Sequence, residues 1–339
     1  MAELNIGWGI IGCGNIARHA IAPAVSASKN GRLVAIASRT SERAERLARE
    51  LGATRAYAGY EDLLEDVDVT AVYIGLPNGL HARWARAAAE AGKHVLCDKS
   101  LTLDVESALG LREAFHSRGL RLAEGYMYRH HPQWEIVKCS LPAIGEIRIL
   151  RAALCGKLAE QDHRWSAELG GGALFDVTCY AVNVARWLLA AEPCRVTAVA
   201  RLRAPGVDES THALLEFEGG AVALVAGSLV SAADQGVTIV GTEGKLEIPR
   251  PFVPHFDPTE IRLEKGGAVD VARVGGANHF LHQIEHFASL LIDPGRPNAP
   301  AEDGVENITA CCAIRESYER GGAVELPAPM PFDLWLRGR

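Results

Sequence analysis

Through its first third the chain alternates short apolar runs with stretches in which apolar residues recur every three or four positions. The runs Ile6–Ile11, Leu33–Ser38, Val69–Gly75, His94–Cys97 and Arg121–Ala123 predict strands. Between them, Asn15–Ala27, Ser41–Leu51, His81–Ala91 and Asp104–Ser117 predict helices, with Pro23 expected to kink or shorten the first. This alternation marks a parallel sheet with crossover helices. After about residue 124 the rhythm changes. A helix led by Pro132, a strand Ile147–Leu154 and a polar loop precede a glycine-rich segment that opens the long apolar helix Ala173–Ala190. Strands follow near Arg195–Arg203, Thr211–Phe217, Ala221–Val230, Gly236–Val240 and Lys245–Ile248. Turns such as Glu218-Gly219-Gly220 and Thr242-Glu243-Gly244 are short enough to make that sheet largely antiparallel. Helices Asn278–Leu291 and Val305–Arg320 complete the pattern.

The expected fold is α/β: an N-terminal Rossmann-type dinucleotide-binding domain over 1–123, then an α+β domain with an open, largely antiparallel sheet over 124–339. A chain of 339 residues has room for two such cores. With 35 Lys and Arg against 42 Asp and Glu, its net charge of −7 leaves no broad cationic surface for nucleic acid or anionic lipid. The longest uncharged apolar stretch, Gly219–Ala233, falls short of the roughly 20 residues that cross a bilayer. No export signal is read at the N-terminus, so a cytoplasmic location is expected. The cysteines at 13, 97, 139, 155, 179, 194, 311 and 312 form no C-x-x-C pair and read as free thiols.

Chemistry begins at the junction of the first strand and first helix, where Gly12-Cys13-Gly14-Asn15-Ile16-Ala17 spells G-x-G-x-x-A. Gly12 permits a tight turn, Gly14 admits a pyrophosphate, and the helix start at Asn15 and Ile16 offers free N–H groups to it. At the end of the second strand, NAD-binding chains place an acid for the ribose hydroxyl; this one has Ser38 and Arg39, with Arg43 one turn on. Guanidinium groups clamp a 2′-phosphate, so NADP is favoured over NAD. The alternative is a solvated helix start capped by Thr40 or Ser41.

Leu76-Pro77-Asn78-Gly79-Leu80-His81, Asp98-Lys99-Ser100 and Gly170-Gly171-Gly172-Ala173-Leu174-Phe175-Asp176-Val177-Thr178-Cys179-Tyr180 resemble motifs of the Gfo/Idh/MocA oxidoreductases. Within that family the chain is similar to the NADP-dependent aldose (xylose) and dihydrodiol dehydrogenases, to which Met127–Gln133 and Gln283–Phe287 also conform. The resemblance spans nearly the whole chain. It implies that Leu76, Pro77, Asn78, His81, Asp98 and Lys99 line the cofactor, and that Lys99 sits between nicotinamide ribose and substrate. The family motif Glu-Lys-Pro stands here as Asp98-Lys99-Ser100, with the lysine kept. Asp176 and Tyr180, four apart, project from one helix face. Tyr180 is the expected general base in oxidation and acid in reduction, its phenol made more acidic by Lys99 and the oxidised nicotinamide. Asp176 orients a substrate hydroxyl or the lysine, and Arg164 is a substrate-binding candidate. The competing reading makes Tyr180 a core ring with one hydroxyl bond, His81 a packed helix-start residue and Arg164 part of a solvated loop.

The implied reaction is hydride transfer between NADP and an alcohol or carbonyl of a small polyhydroxylated substrate, by a homodimer or higher oligomer joined through the second sheet. A ketone or aldehyde reductase of the anhydrofructose type uses the same residues in the other direction. A non-catalytic dinucleotide sensor is the alternative from another class; it has no need of the Lys99 and Tyr180 proton relay. His282-Gln283-Ile284-Glu285-His286, with His279 one turn earlier, satisfies the zinc-peptidase pattern H-x-x-E-H. No further ligand carboxylate accompanies it, and no metal is expected.

Overall fold

In the computed structural model, six apolar runs form an all-parallel sheet: β1 (Ile6–Ile11), β2 (Gly31–Ser38), β3 (Arg55–Ala58), β4 (Ala71–Ile74), β5 (His94–Cys97) and β6 (Leu122–Glu124). Their order is β3-β2-β1-β4-β5-β6, the doubly wound arrangement in which ligands bind beyond the carboxyl ends of the strands. Every residue of β1 and β4 is buried, as expected of strands covered on both faces, which is why they read as unbroken apolar runs. The crossovers carry α1 (Ala22–Ala27), α2 (Ser41–Leu51), α3 (Glu61–Glu65), α4 (His81–Glu90) and α5 (Val105–His116). The first predicted helix is divided: a π-helical turn, Ala17–Ile21, precedes α1, whose first turn holds Pro23, where its missing N–H costs no helix bond. The pattern did not predict β3 and α3. β3 is only half-buried, and α3 is too short to show a period.

A second sheet has nine strands: β7 (Ile147–Lys157), β8 (Pro193–Arg203), β9 (Val207–Phe217), β10 (Val222–Ser228), β11 (Val230–Gly241), β12 (Gly244–Ile248), β13 (Thr259–Lys265), β14 (Ala268–Val274) and β15 (Val324–Glu325). The order is β14-β13-β12-β11-β7-β10-β9-β8-β15, antiparallel throughout except for the parallel pair β7 and β10. β13 and β14 escaped prediction because β14 is exposed along most of its length and so lacks an apolar stripe. With this sheet go α6 (Gln133–Ser140) and α7 (Cys179–Leu189). α7 is preceded by a second π-helical stretch, Leu174–Thr178, so the predicted helix over 173–190 starts with a wider turn than an α-helix has.

Two helices remain, α8 (His279–Ile292) and α9 (Ala299–Arg320). The chain divides into two units, Met1–Met127 with Asn278–Val305, and Tyr128–Ala277 with Glu306–Arg339. A single cut after residue 123 therefore misses the return of α8 to the first unit. There Ile284, Phe287 and Ala288 join Trp8, Ile10, Ile21, Ile36 and Tyr73 in one core, and the rings of Trp8 and Phe287 lie 5.5 Å apart. The described residues are 6–203, 206–254, 256–292 and 299–327; the N-terminal five, read for an export signal, lie outside them. Among the described residues no helix is long and apolar enough to cross a membrane.

Candidate active site

The turn after β1 has the form a bound pyrophosphate needs. Gly12 takes φ +98°, and a Cβ on it would collide with the Gly75 carbonyl at the end of β4, so this turn lies hard against the neighbouring strand. Gly14 is the opposite case. It is exposed, and the nearest atom to a Cβ placed there is the Gly75 oxygen at 3.9 Å. Nothing in the chain requires glycine at 14, while a ligand approaching the backbone does. Asn15 and Ile16 are also exposed and Ala17 is buried beneath them, as close helix-to-sheet packing requires. These residues fit a dinucleotide.

At the end of β2, Ser38 is buried and Arg39 exposed. Among the described residues Arg39 makes no hydrogen bond or ion pair, whereas Arg43 Nη2 donates to the Cys13 carbonyl at 2.7 Å and so fastens α2 to the phosphate loop. Thr40 occupies the cap position of α2 without a side-chain cap bond, so capping does not account for the two arginines. Cys13 lies between these groups, its thiol pushed up by burial.

Beyond β4, Leu76, Pro77 and Asn78 lead through the short 3₁₀ turn Asn78–Leu80 into α4. His81 is wholly buried, with Nδ1 2.7 Å from the Ser100 carbonyl and Nε2 2.8 Å from the Leu76 carbonyl. Burial holds its pKa below the ordinary imidazole value, and a neutral ring donates to one of the two oxygens at a time. The expectation that His81 lines the cofactor is thereby corrected: its ring faces protein on both edges and ties the loop after β4 to the loop after β5. In that second loop the Asp98 amide donates to Ile74 O at 2.9 Å, and Asp98 Oδ1 accepts the Lys99 amide at 2.9 Å. The Lys99–Ser100 peptide bond is cis, and the Leu101 amide donates to Glu124 Oε1 at 2.8 Å. The shorter Asp98 thus folds back on its own loop, leaving Lys99 half-buried at the carboxyl edge of the sheet.

The second unit brings three of the predicted residues into one neighbourhood. Arg164 Nη1 donates to Asp176 Oδ2 at 2.9 Å, while Nε and Nη2 grip the two oxygens of Asp162, each at 2.9 Å. Arg164 is therefore no solvated loop residue. Asp162 escaped the sequence reading, although Asp162-His163-Arg164 places the pair two residues apart. The arginine's bonds hold the Asp162 carboxyl down at about 2, and burial does not reverse this. Tyr180, on α7 one turn past Asp176, is buried with its ring 5.9 Å from that of Tyr128 and 5.6 Å from that of Phe252. Below it, Asn183 Oδ1 accepts from the Tyr128 hydroxyl at 2.6 Å and from Arg129 Nε at 2.9 Å, while Asn183 Nδ2 donates to Asn307 Oδ1 at 3.2 Å. The aromatic packing foreseen in the competing reading is real, and it fixes the ring of Tyr180 from two sides.

Lys99 belongs to the first unit and Arg164, Asp176 and Tyr180 to the second. On α8, His279 is buried against Phe280, with ring centres 4.7 Å apart. Among the described residues no group of three or more His, Cys, Asp or Glu side chains is placed to hold a metal ion.

Residues 6–126 match the family described as the oxidoreductase family with an NAD-binding Rossmann fold, and residues 142–247 match the Gfo/Idh/MocA C-terminal domain. The chain is 36% identical over 326 residues to a D-xylose 1-dehydrogenase (NADP(+)) of Haloferax volcanii, a match covering 94% of this chain and 99% of the relative. It is 30% identical over 325 residues to a trans-1,2-dihydrobenzene-1,2-diol dehydrogenase of Xenopus laevis, covering 94% and 98% of the two chains. A 3-ketoreductase of Actinomadura kijaniata, solved with NADP and TDP-benzene, superposes with a TM-score of 0.88 at 34% identity, over 92% of this chain and 98% of the other. The dehydrogenase branch that the motifs resemble is thus among the relatives, joined by a sugar ketoreductase the sequence reading did not name. By family matches over two-thirds of its length and relatives similar over nine-tenths of it, the chain belongs to the Gfo/Idh/MocA family of oxidoreductases.

Proposed function

We propose that the protein transfers hydride between NADP and an alcohol or carbonyl carbon of a sugar or related polyol. This reading is supported by the presence of Lys99, Asp176 and Tyr180, residue types suited to proton transfer, in a chain similar over nine-tenths of its length to NADP-dependent sugar enzymes. NADP is supported by the partnerless Arg39 guanidinium at the end of β2, beside Arg43 and Ser38. When bound, the cofactor supplies the hydride acceptor or donor at its nicotinamide ring. Gly12, Gly14, Asn15 and Ile16 receive its pyrophosphate, and Leu76, Pro77, Asn78 and Asp98 border it. Lys99 gives the reacting oxygen a donor and a positive charge. Tyr180 takes the hydroxyl proton as the alcohol carbon loses its hydride, and returns it when a carbonyl is reduced. Asp176, held by Arg164, accepts from a neighbouring substrate hydroxyl, and Arg164 lies within reach of another. His81 serves the cofactor through the two loops it ties.

Reduction of a nucleotide-linked keto-sugar is a second reading, favoured by the likeness to the Actinomadura ketoreductase. A spectrophotometric panel of aldoses, inositols, dihydrodiols and keto-sugars, free and nucleotide-linked, with NADP and NAD, separates the two. Turnover of free aldoses supports the first, and turnover of linked ketones alone supports the second. Tight NADP binding with no turnover of any alcohol or carbonyl overturns both in favour of a dinucleotide sensor. Within the panel, Tyr180→Phe is expected to lower kcat by about 10²–10⁴-fold with NADP affinity unchanged; full turnover in this variant removes Tyr180 from the proposed role.

We further propose a cytoplasmic homodimer or higher oligomer joined through the second sheet. The eight free cysteines fit a reducing compartment. Among the described residues, Val199, Leu224 and Val230 of that sheet expose apolar side chains, which supports burial against another copy.

A further inference from the structure

The helix that carries Asp176 and Tyr180 starts between two acceptors from elsewhere in the second unit. On one side, the Gly172 amide donates to the Arg164 carbonyl at 3.0 Å. On the other, Asp208 of β9 presents its carboxylate: Oδ2 accepts the Leu174 amide at 2.6 Å and the Thr211 hydroxyl at 2.6 Å. Gly172 takes φ +116°, and a Cβ there would run into Asp208 Oδ1, so glycine is what admits the carboxylate to this position.

Asp208 is buried, and a neutral Asn caps a helix about as well without bringing a charge out of water. A carboxylate is therefore more than the cap alone demands. Its charge meets the positive ends of the first peptide dipoles, and the Leu174 amide and the Thr211 hydroxyl hold it. We infer that Asp208 is a positioning residue: its ionised carboxylate fixes the π-helical turn Leu174–Thr178, and through it the direction in which Asp176 and Tyr180 meet substrate. This inference rests on the roles proposed above for those two residues. Protonation at Oδ1 leaves Oδ2 as an acceptor but removes the charge that meets those dipoles, and so slackens the turn.

Burial pushes the Asp208 carboxyl up to about 6, which brings this loss into the working range of an enzyme. The titratable group facing Asp208 from α9 is Tyr318, itself raised well above the ordinary phenol range by burial and by the Asp208 charge; Arg315, Cys312 and Glu319 surround Tyr318. A phenol so raised stays neutral where Asp208 titrates.

The test compares wild type with Asp208→Asn and Asp208→Ala by NADP-linked turnover from pH 5 to 9, and by hydrogen-exchange mass spectrometry of peptides spanning 170–180. Asp208→Asn is expected to lower kcat about tenfold to a hundredfold, the scale of a displaced catalytic group. KM for NADP should stay within twofold, and the acid limb of the wild-type kcat profile near pH 6 should vanish. The Leu174 amide should lose protection in wild type as pH falls through that range, and in Asp208→Ala, which offers it no acceptor, at every pH. A variant with wild-type kcat and undiminished protection overturns the inference. So does a loss matched by the unfolded fraction with the pH profile retained. If wild type turns over none of the substrates, the functional reading fails, while the exchange measurement still decides whether Asp208 fixes the turn.

Discussion

Arg164 and Asp176 are joined by a 2.9 Å bond from Nη1 to Oδ2, and the same guanidinium holds Asp162 with two more bonds. The loop before the glycine triplet is thereby fastened to the helix after it, across twelve residues of sequence. Replacing Arg164 by Leu leaves the buried Asp176 carboxylate without its cation, a loss of about 1–3 kcal/mol of stability when one partner of a charged hydrogen bond is removed. Chemical denaturation should report that loss. Substrate kcat/KM should fall about a hundredfold while dinucleotide affinity stays unchanged. Unaltered kinetics would show that Asp176 is oriented by other groups.

Acid sensitivity follows from the other half of this cluster. The Asp162 carboxyl is held at about 2, below the roughly 3.9 of an unfolded chain. Its stabilising contribution is therefore complete above about pH 4 and disappears as pH falls through about 2. Asp162→Asn should be less stable than wild type at pH 7, with the gap closing between pH 4 and 2 in urea midpoints. A gap constant over that range would rule out the ion pair as its source.

The proposed contact with the 2′-phosphate rests on Arg39, whose guanidinium makes no hydrogen bond or ion pair among the described residues. Arg39→Ala should raise KM for NADP about 10–100-fold, the worth of one charge-assisted contact, and leave KM for NAD nearly unchanged. Steady-state kinetics with both cofactors measures this, and equal effects on the two would assign Arg39 to the shared part of the dinucleotide.

His81 joins two loops by its ring alone. Its replacement by Ala leaves the Leu76 and Ser100 carbonyls to find other donors, at about 1–3 kcal/mol for a buried group left unpaired. Thermal unfolding should register that cost. A fall in kcat larger than the rise in KM for NADP is expected, because Ser100 adjoins Lys99; the reverse split would place the effect on the Leu76 side.

The sequence by itself determined the first sheet and its phosphate loop. Parallel strands covered on both faces must be apolar throughout, and a turn jammed against a neighbouring strand must use glycine, so β1, β2, β4, β5 and Gly12 announce themselves. It also offered candidates: Arg39 by its place after the second strand, Asp176 and Tyr180 by their spacing of four on one helix, Arg164 by its place before the glycine triplet, and Lys99 through the family resemblance. Contacts between residues distant in sequence leave no such mark. The return of α8 onto Trp8, the carbonyls on both edges of His81 and the carboxylate of Asp208 under Leu174 arise only when separate segments pack. Periodicity records which face of an element is buried, but not what buries it. Tertiary structure alone decided that His81 binds two loops rather than a ligand, and that the glycines before Asp176 make room for an aspartate on another strand.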